Sequence, residues 1–117
     1  MAVTGLARVA MAEQELALCK TSDVPAEGGL RLELSQNIVV AVFKSGGEYF
    51  VVDDLCTHGN ASLADGEVMG DDIACPYHFG TFSLRTGEPT GSPCTLALRT
   101  YPAIVRDGVI YIADPSA

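Results

Sequence analysis

The chain has 117 residues, a length that suits one domain with a core large enough to fold without disulfide bonds. Seven Lys and Arg against fifteen Asp and Glu give a formal charge of -8, which disfavours nucleic-acid binding because phosphate contacts require clustered cations. No apolar run is long enough to span a bilayer, and the start lacks the continuous apolar segment of a secretory signal. We therefore expect a cytoplasmic protein with no nucleic-acid or membrane partner.

The first dozen residues differ in character from the rest of the chain. Residues 1–12 are predicted to form a flexible leader ahead of a single domain over residues 13–117. Ala, Glu and Leu are frequent between residues 2 and 18, so a frayed helix is an alternative for this segment. The first strand is predicted at residues 15–20.

Short apolar periodicity after about residue 20 predicts an all-β protein. Three leucines within residues 30–34 alternate with polar side chains, as in a strand with one exposed face. Residues 38–43 are almost continuously apolar, residues 45–47 supply a Ser-Gly-Gly turn, and residues 48–52 continue as a second strand. This pattern predicts a half-exposed strand followed by a central hairpin.

A second hairpin is predicted near the end of the chain. Residues 98–105 and 109–112 are apolar runs that flank Arg106, Asp107 and Gly108. An Asp-Gly pair readily adopts the positive φ angles of a tight hairpin turn. The two runs are therefore expected to pair as antiparallel strands.

The segment between these hairpins, residues 53–94, carries four residues typical of metal sites. Cys56 precedes His58 by two positions and Cys75 precedes His78 by three, so each histidine of the chain is paired with a cysteine. Two thiolates on one iron and two imidazoles on the other are the ligands of a Rieske 2Fe-2S cluster. The spacing therefore predicts a cluster held by two short loops and a role in one-electron transfer.

Two other interpretations use the same four side chains. A structural zinc site also accepts two thiolates and two imidazoles, although zinc modules more often place a cysteine pair and a histidine pair on separate elements. A metal-free core with two buried cysteines and two buried histidines is the third interpretation. Iron and acid-labile sulfide in the purified protein distinguish the first interpretation from the other two.

The flanking sequence narrows this choice. Residues 53–66, followed by residues 75–82, resemble the Rieske ferredoxins of bacterial multicomponent aromatic-ring dioxygenases, and the similarity extends from about residue 16 to residue 113. That resemblance implies a small antiparallel β sandwich or barrel with a two-loop cluster-binding subdomain. It also implies one Rieske-type 2Fe-2S cluster.

The resemblance further assigns roles to individual residues. It implies that Cys56 and Cys75 bind the inner iron, and that His58 and His78 bind the outer, partly exposed iron. A third, proline-containing loop covers the cluster in this family, and residues 91–93 are its counterpart here.

The resemblance implies an electron carrier that is not itself an enzyme. An NAD(P)H-dependent flavoprotein reductase is the expected electron donor, and a terminal Rieske non-haem iron oxygenase is the expected acceptor. The chain has no third histidine for a mononuclear iron site. The alternative within the superfamily is the Rieske-like small subunit of a nitrite reductase.

Three positions predict a low reduction potential. Ala61 and Tyr77 stand where high-potential Rieske proteins carry an extra cysteine pair, and Gly80 stands where they carry a serine. Fewer hydrogen-bond donors to the sulfurs place the expected midpoint at the low end of the Rieske range, about -150 mV. Both ligand imidazoles are then expected to stay protonated at neutral pH, so that electron transfer is not coupled to proton transfer.

The remaining predictions concern packing. Cys19 and Cys94 are interpreted as small apolar side chains, Phe82 and Phe79 as core or shielding residues, and Tyr77 likewise as a packing residue. An acidic rim that guides partners is expected around the loops, formed by Asp53, Asp54, Asp65, Glu67, Asp71 and Asp72.

The glycines of the same segment divide into two predicted groups. Gly59 and Gly80 lie one and two residues past the predicted ligand histidines and are candidates for close approach of the backbone to the cluster. Gly70 and Gly87 are interpreted as residues that end short strands.

Overall fold

Short strands dominate the computed structural model, which describes residues 14–35, 37–57, 60–77, 80–92 and 96–115. The all-β prediction is confirmed. The leader predicted at residues 1–12 lies outside the described residues. The strands of the described part are β1 (Glu15–Lys20), β2 (Leu30–Ser35), β3 (Ile38–Ser45), β4 (Glu48–Asp53), β5 (Glu67–Met69), β6 (Asp72–Ala74), β7 (Thr81–Ser83), β8 (Pro89–Gly91), β9 (Thr100–Tyr101), β10 (Ile104–Arg106) and β11 (Val109–Ala113), with single 3₁₀ turns at Thr21–Asp23 and Leu63–Asp65.

The strands form three antiparallel sheets, ordered β1-β11-β10, β2-β3-β4-β9 and β5-β6-β7-β8. The first two pack face to face through a core that includes Val40, Val42, Ile110 and Ile112. This pair of sheets is a sandwich, and we call it the base. None of the three sheets closes into a barrel within the described residues.

Strand β3 is buried on both faces, which explains its continuous apolar run. Val40 and Val42 point into the core of the base, whereas the intervening Ala41 and Phe43 belong to a second buried cluster. That second cluster also includes Ile73 and other residues of the third sheet, which we call the tip. The central strand therefore carries the base on one face and the tip on the other.

Arg85 joins the tip to the base at the surface. Its Nη1 and Nη2 donate to the Glu48 carboxylate at 3.1 and 2.8 Å, and its Nε donates to Asp71 at 3.1 Å. The guanidinium also lies over the Phe50 ring, 5.2 Å from its centroid. Glu48 and Phe50 lie on β4 and Asp71 lies in the tip, so one side chain fixes the tip against the base.

The closing hairpin is confirmed at its turn but not along its first strand. Asp107 and Gly108 have φ angles of 51° and 77°, as a tight hairpin turn requires. Residues 98–105, however, do not form one strand: β9 pairs with β4 and β10 pairs with β11. Pro102 stands between them and has no N–H to donate to a ladder, so the chain changes sheets there.

No helix in the described part of the chain has the length and apolar composition needed to cross a bilayer.

Candidate metal centre

Cys56 and Cys75 open two loops of the same length. Leu55 pairs with Ser62 across the first loop, and Ala74 pairs with Thr81 across the second. Each of these pairs is separated by six residues, 56–61 in the first loop and 75–80 in the second. The same local arrangement therefore occurs twice, each time with a cysteine as the first residue of the loop.

Each loop is closed by the same backbone hydrogen bond. The N–H of Cys56 donates to the Ala61 carbonyl at 3.0 Å, and the N–H of Cys75 donates to the Gly80 carbonyl at 2.7 Å. In both cases the acceptor lies five positions beyond the cysteine. The sequence places one histidine inside each closed loop, His58 in the first and His78 in the second.

Both cysteines are buried in the same apolar cluster. Cys56 is 2% exposed and Cys75 is 1% exposed, and neither forms a disulfide. Leu63, Phe82 and Leu98 belong to the same cluster. Two thiols brought together without a disulfide fit the thiolate half of a 2Fe-2S site, because burial of a thiolate requires a partner such as a metal ion.

The imidazole half of the site is not covered by the structure. His58 and His78, together with Gly59 and Phe79, lie outside the described residues. The described residues alone contain no group of three or more His, Cys, Asp or Glu side chains able to hold a metal ion.

A third segment, residues 96–98, returns to the first loop. Thr57 Oγ1 donates to the Leu96 carbonyl at 2.8 Å, and the N–H of Leu98 donates to the Gly87 carbonyl at 2.8 Å. Residues 91–93 were expected to be the counterpart of the covering loop, and residues 93–95 lie outside the described residues. The described part shows that this segment contacts both the first loop and the core.

Gly87 does more than end a strand, contrary to the sequence-based interpretation. Its φ is +80°, and a Cβ there would lie 2.2 Å from the Leu98 carbonyl oxygen. Gly70 has a φ of +64° and open space around it, as expected of a turn residue. The absence of a side chain at Gly87 therefore allows the backbone of Leu98 to pack closely against the tip.

Asp54 was predicted to belong to an acidic rim, and this prediction is wrong. It is 4% exposed and is the only charged residue buried within the described part of the chain. Its Oδ1 accepts hydrogen bonds from the Ser62 hydroxyl at 2.8 Å and the Ala64 N–H at 3.0 Å. Its Oδ2 lies 3.4 Å from Arg31 Nε. The carboxylate thus fixes the chain that leaves the first ligand loop.

The backbone of Asp54 adds two further contacts. Its N–H donates to the Val39 carbonyl at 3.0 Å, and its carbonyl accepts from the Leu63 N–H at 2.7 Å. Val39 lies on β3 of the base, so Asp54 connects the base to both ends of the loop. Only its position before a predicted cysteine ligand could have indicated this role from the sequence.

Three other carboxylates of the predicted rim also bond to side chains within the protein. Asp53 accepts the Tyr101 hydroxyl at 2.6 Å, and burial together with this carboxylate raises the pKa of Tyr101 to about 12. Asp71 pairs with Arg85, and Asp72 accepts the Thr90 hydroxyl at 3.2 Å. The exposed carboxylates that remain are those of Asp65 and Glu67.

Apolar side chains are exposed beside the ligand loops. Leu55 precedes the first loop, Tyr77 lies in the second, and Leu96 lies in the segment bonded to Thr57; all three are exposed. Tyr77 was predicted to shield the cluster or to fill the core, and the core position is wrong because 61% of the residue is exposed. Phe82 is fully buried, as predicted.

Cys19 lies away from the loops, on β1. Its thiol is partly buried, and this burial raises its pKa. A half-buried apolar role was predicted for this cysteine, and the structure confirms it.

The chain matches known proteins both in sequence and in structure. The family model described as the Rieske [2Fe-2S] domain matches residues 14–102. The ferredoxin component of the p-cumate 2,3-dioxygenase system of Pseudomonas putida is 41% identical over 96 residues, which cover 81% of each chain.

Solved structures give the same picture. A ferredoxin of Sphingomonas yanoikuyae B1 superposes with a TM-score of 0.82 at 38% identity, covering 87% of this chain and all of that one. A structure described as a complex of reduced oxygenase and oxidized ferredoxin in carbazole 1,9a-dioxygenase matches with a TM-score of 0.79 at 37% identity, covering 86% and 94%. A putative nitrite reductase small subunit matches at 25% identity and a TM-score of 0.72, covering 86% and 99%.

Proposed function

The chain belongs to the Rieske [2Fe-2S] domain family, and we propose that it is the ferredoxin component of an aromatic-ring dioxygenase system. In this role it carries one electron at a time and catalyses no reaction itself. The observation that carries the proposal is the pair of buried cysteines, each of which opens a loop of identical closure. The 41% identity to a dioxygenase ferredoxin component supports it.

The proposed ligands are Cys56 and Cys75 on the inner iron and His58 and His78 on the outer iron. When bound, the cluster would supply reversible one-electron chemistry, and the net charge of the site, with its two thiolate ligands counted, would change between 0 and -1. The chain's own residues would enclose the cluster. The two cysteines are held in the apolar core, and the third segment, bonded to Thr57, returns beside the first loop.

The proposed partners are an NAD(P)H-dependent flavoprotein reductase and a terminal Rieske non-haem iron oxygenase. One structural relative is described as a ferredoxin in complex with its oxygenase, which supports the second partner. We place the protein in the cytoplasm as a soluble shuttle, with one Rieske domain over residues 13–117. Zinc and metal-free interpretations of the four side chains are set aside because the chain belongs to a 2Fe-2S family.

The low-potential part of this proposal predicts a midpoint potential of about -150 mV. Ala61 and Gly80 are the buried last residues of the two loops and supply no side-chain donor to a sulfur. We also expect the midpoint to stay flat between pH 6 and 8. Protein-film voltammetry measures both quantities. A midpoint above +100 mV, or a steady fall across that pH range, contradicts the proposal.

Charge steering gives a second prediction. Asp65 and Glu67 are the exposed carboxylates that remain near the loops, so Asp65→Asn and Glu67→Gln should each slow reduction by the flavoprotein reductase, on the order of two- to fivefold at low salt. Stopped-flow bleaching of the visible absorbance, with NADH and excess reductase, measures this rate. Asp107→Asn, which removes an exposed charge at the far hairpin, is the matched control. Equal rates and salt slopes for all three variants would rule out local steering.

The nitrite reductase alternative predicts different behaviour in solution. A small subunit of such an enzyme is permanently assembled with its large subunit, whereas a shuttle exchanges between partners through small, transient interfaces. Gel filtration of the native protein at low concentration distinguishes the two. We expect a monomer that takes electrons from a ferredoxin reductase; co-elution with a large subunit would support the alternative.

A further inference from the structure

Asp54, whose carboxylate is buried, lies two positions before the proposed ligand Cys56. The two Cα atoms are therefore at most about 7 Å apart. Its Oδ1 holds Ser62 and Ala64, which follow the same loop on the other side. A negative charge therefore lies where the two ends of the loop that begins with Cys56 meet.

This charge is only partly compensated. Arg31 Nε lies 3.4 Å from Asp54 Oδ2, but 49% of the Arg31 side chain is exposed. Arg31 also pairs with Glu33, Nη1 to Oε2 at 2.9 Å. Solvent and Glu33 thus weaken the effect of the guanidinium on its buried partner.

Addition of an electron to the site makes its charge more negative by one. A nearby carboxylate in a poorly solvated interior opposes that change, and a cation assists it. We propose that the Asp54–Arg31 pair sets the reduction potential of the bound cluster through charge, the carboxylate lowering it and the guanidinium raising it. This inference rests on the proposed function, since it requires the 2Fe-2S cluster.

The two members of the pair are predicted to have effects of opposite sign. Asp54→Asn keeps an oxygen that can accept from Ser62 and Ala64 and removes the charge, so the potential should rise. Arg31→Gln removes the cation and leaves the other Asp54 contacts in place, so the potential should fall. A purely structural role predicts that both variants loosen the same loop and shift the potential in the same direction.

Redox titration of the purified holoprotein tests the inference. We expect each single variant to change the equilibrium constant for reduction about three- to tenfold, where tenfold corresponds to about 59 mV for one electron. The shifts should largely cancel in the double variant. Arg31→Lys, which keeps the charge, should stay close to wild type. Arg106→Gln is the matched control because Arg106 pairs with Glu15 on the three-stranded sheet and should leave the potential unchanged.

The outcomes separate this inference from the proposed function. A wild-type protein that binds no iron or sulfide overturns the proposed function and the inference together. A wild-type cluster with variants that shift the potential in the same direction, or not at all, overturns only the inference. If Asp54→Asn fails to assemble a cluster, Arg31→Gln decides: a lower potential supports the charge role, and an unchanged or higher one contradicts it.

Discussion

Replacement of Cys56 or Cys75 by serine should abolish the cluster completely. Both thiols are buried in one apolar cluster, so no solvent-exposed side chain can take over as a ligand without rearrangement of the core. A serine hydroxyl is a poor substitute because it is not deprotonated at neutral pH, whereas a metal-bound thiol is. Visible absorbance, with iron and acid-labile sulfide per chain, measures the loss.

Cys19→Ser is the matched control for this experiment. Cys19 lies on β1 of the base and packs against the core of the base, separate from the cluster that contains Cys56 and Cys75. We expect this variant to retain full iron and sulfide content. A Cys56 or Cys75 variant with the wild-type spectrum would show that the ligand assignment is wrong.

Substitution of Gly87 by alanine should strongly destabilise the protein. The residue has a φ of +80°, which disfavours any Cβ by about 1–2 kcal/mol. A Cβ would also lie 2.2 Å from the Leu98 carbonyl oxygen and 3.0 Å from Thr100 Cγ2, and overpacking of this kind costs about 1–3 kcal/mol more. The free energy of unfolding should therefore fall by about 2–5 kcal/mol.

Gly46→Ala separates the two contributions. Gly46 has a φ of +59°, but no atom lies within 4 Å of the position that a Cβ would take, so only the backbone cost of about 1–2 kcal/mol applies. Urea unfolding followed by far-UV circular dichroism gives both values. Equal losses in the two variants would show that the approach of residue 98 to Gly87 is not tight in solution.

The strands were predictable because local patterns determine them. Alternating leucines indicated β2, and the apolar run of β3 together with the glycine turn indicated the central hairpin. Residues 98–105 were wrongly predicted as one strand of the closing hairpin. Strand β9 pairs with β4 instead, and local sequence does not reveal this long-range contact. The leader at residues 1–12 stays a prediction, because these residues lie outside the described part of the chain.

The ligand assignment rests on the sequence pattern and stays a prediction, whereas the residues that support the loops could not be predicted from the sequence. Both cysteines were identified from their spacing to the histidines, and their burial in one core agrees with that assignment. Asp54 looked like one of several loop acids, because its partner Arg31 is distant in sequence and its burial depends on the packed base. Arg85 was missed for the same reason, since Glu48 and Asp71 reach it only in the folded chain.

Low-temperature electron paramagnetic resonance of the anaerobically purified, dithionite-reduced protein tests the central claim most directly. Mixed imidazole and thiolate ligation predicts a rhombic 2Fe-2S signal with a mean g value below that of an all-thiolate cluster, together with two irons and two acid-labile sulfides per chain. A colourless protein that binds zinc, or a signal typical of four thiolates, would contradict it.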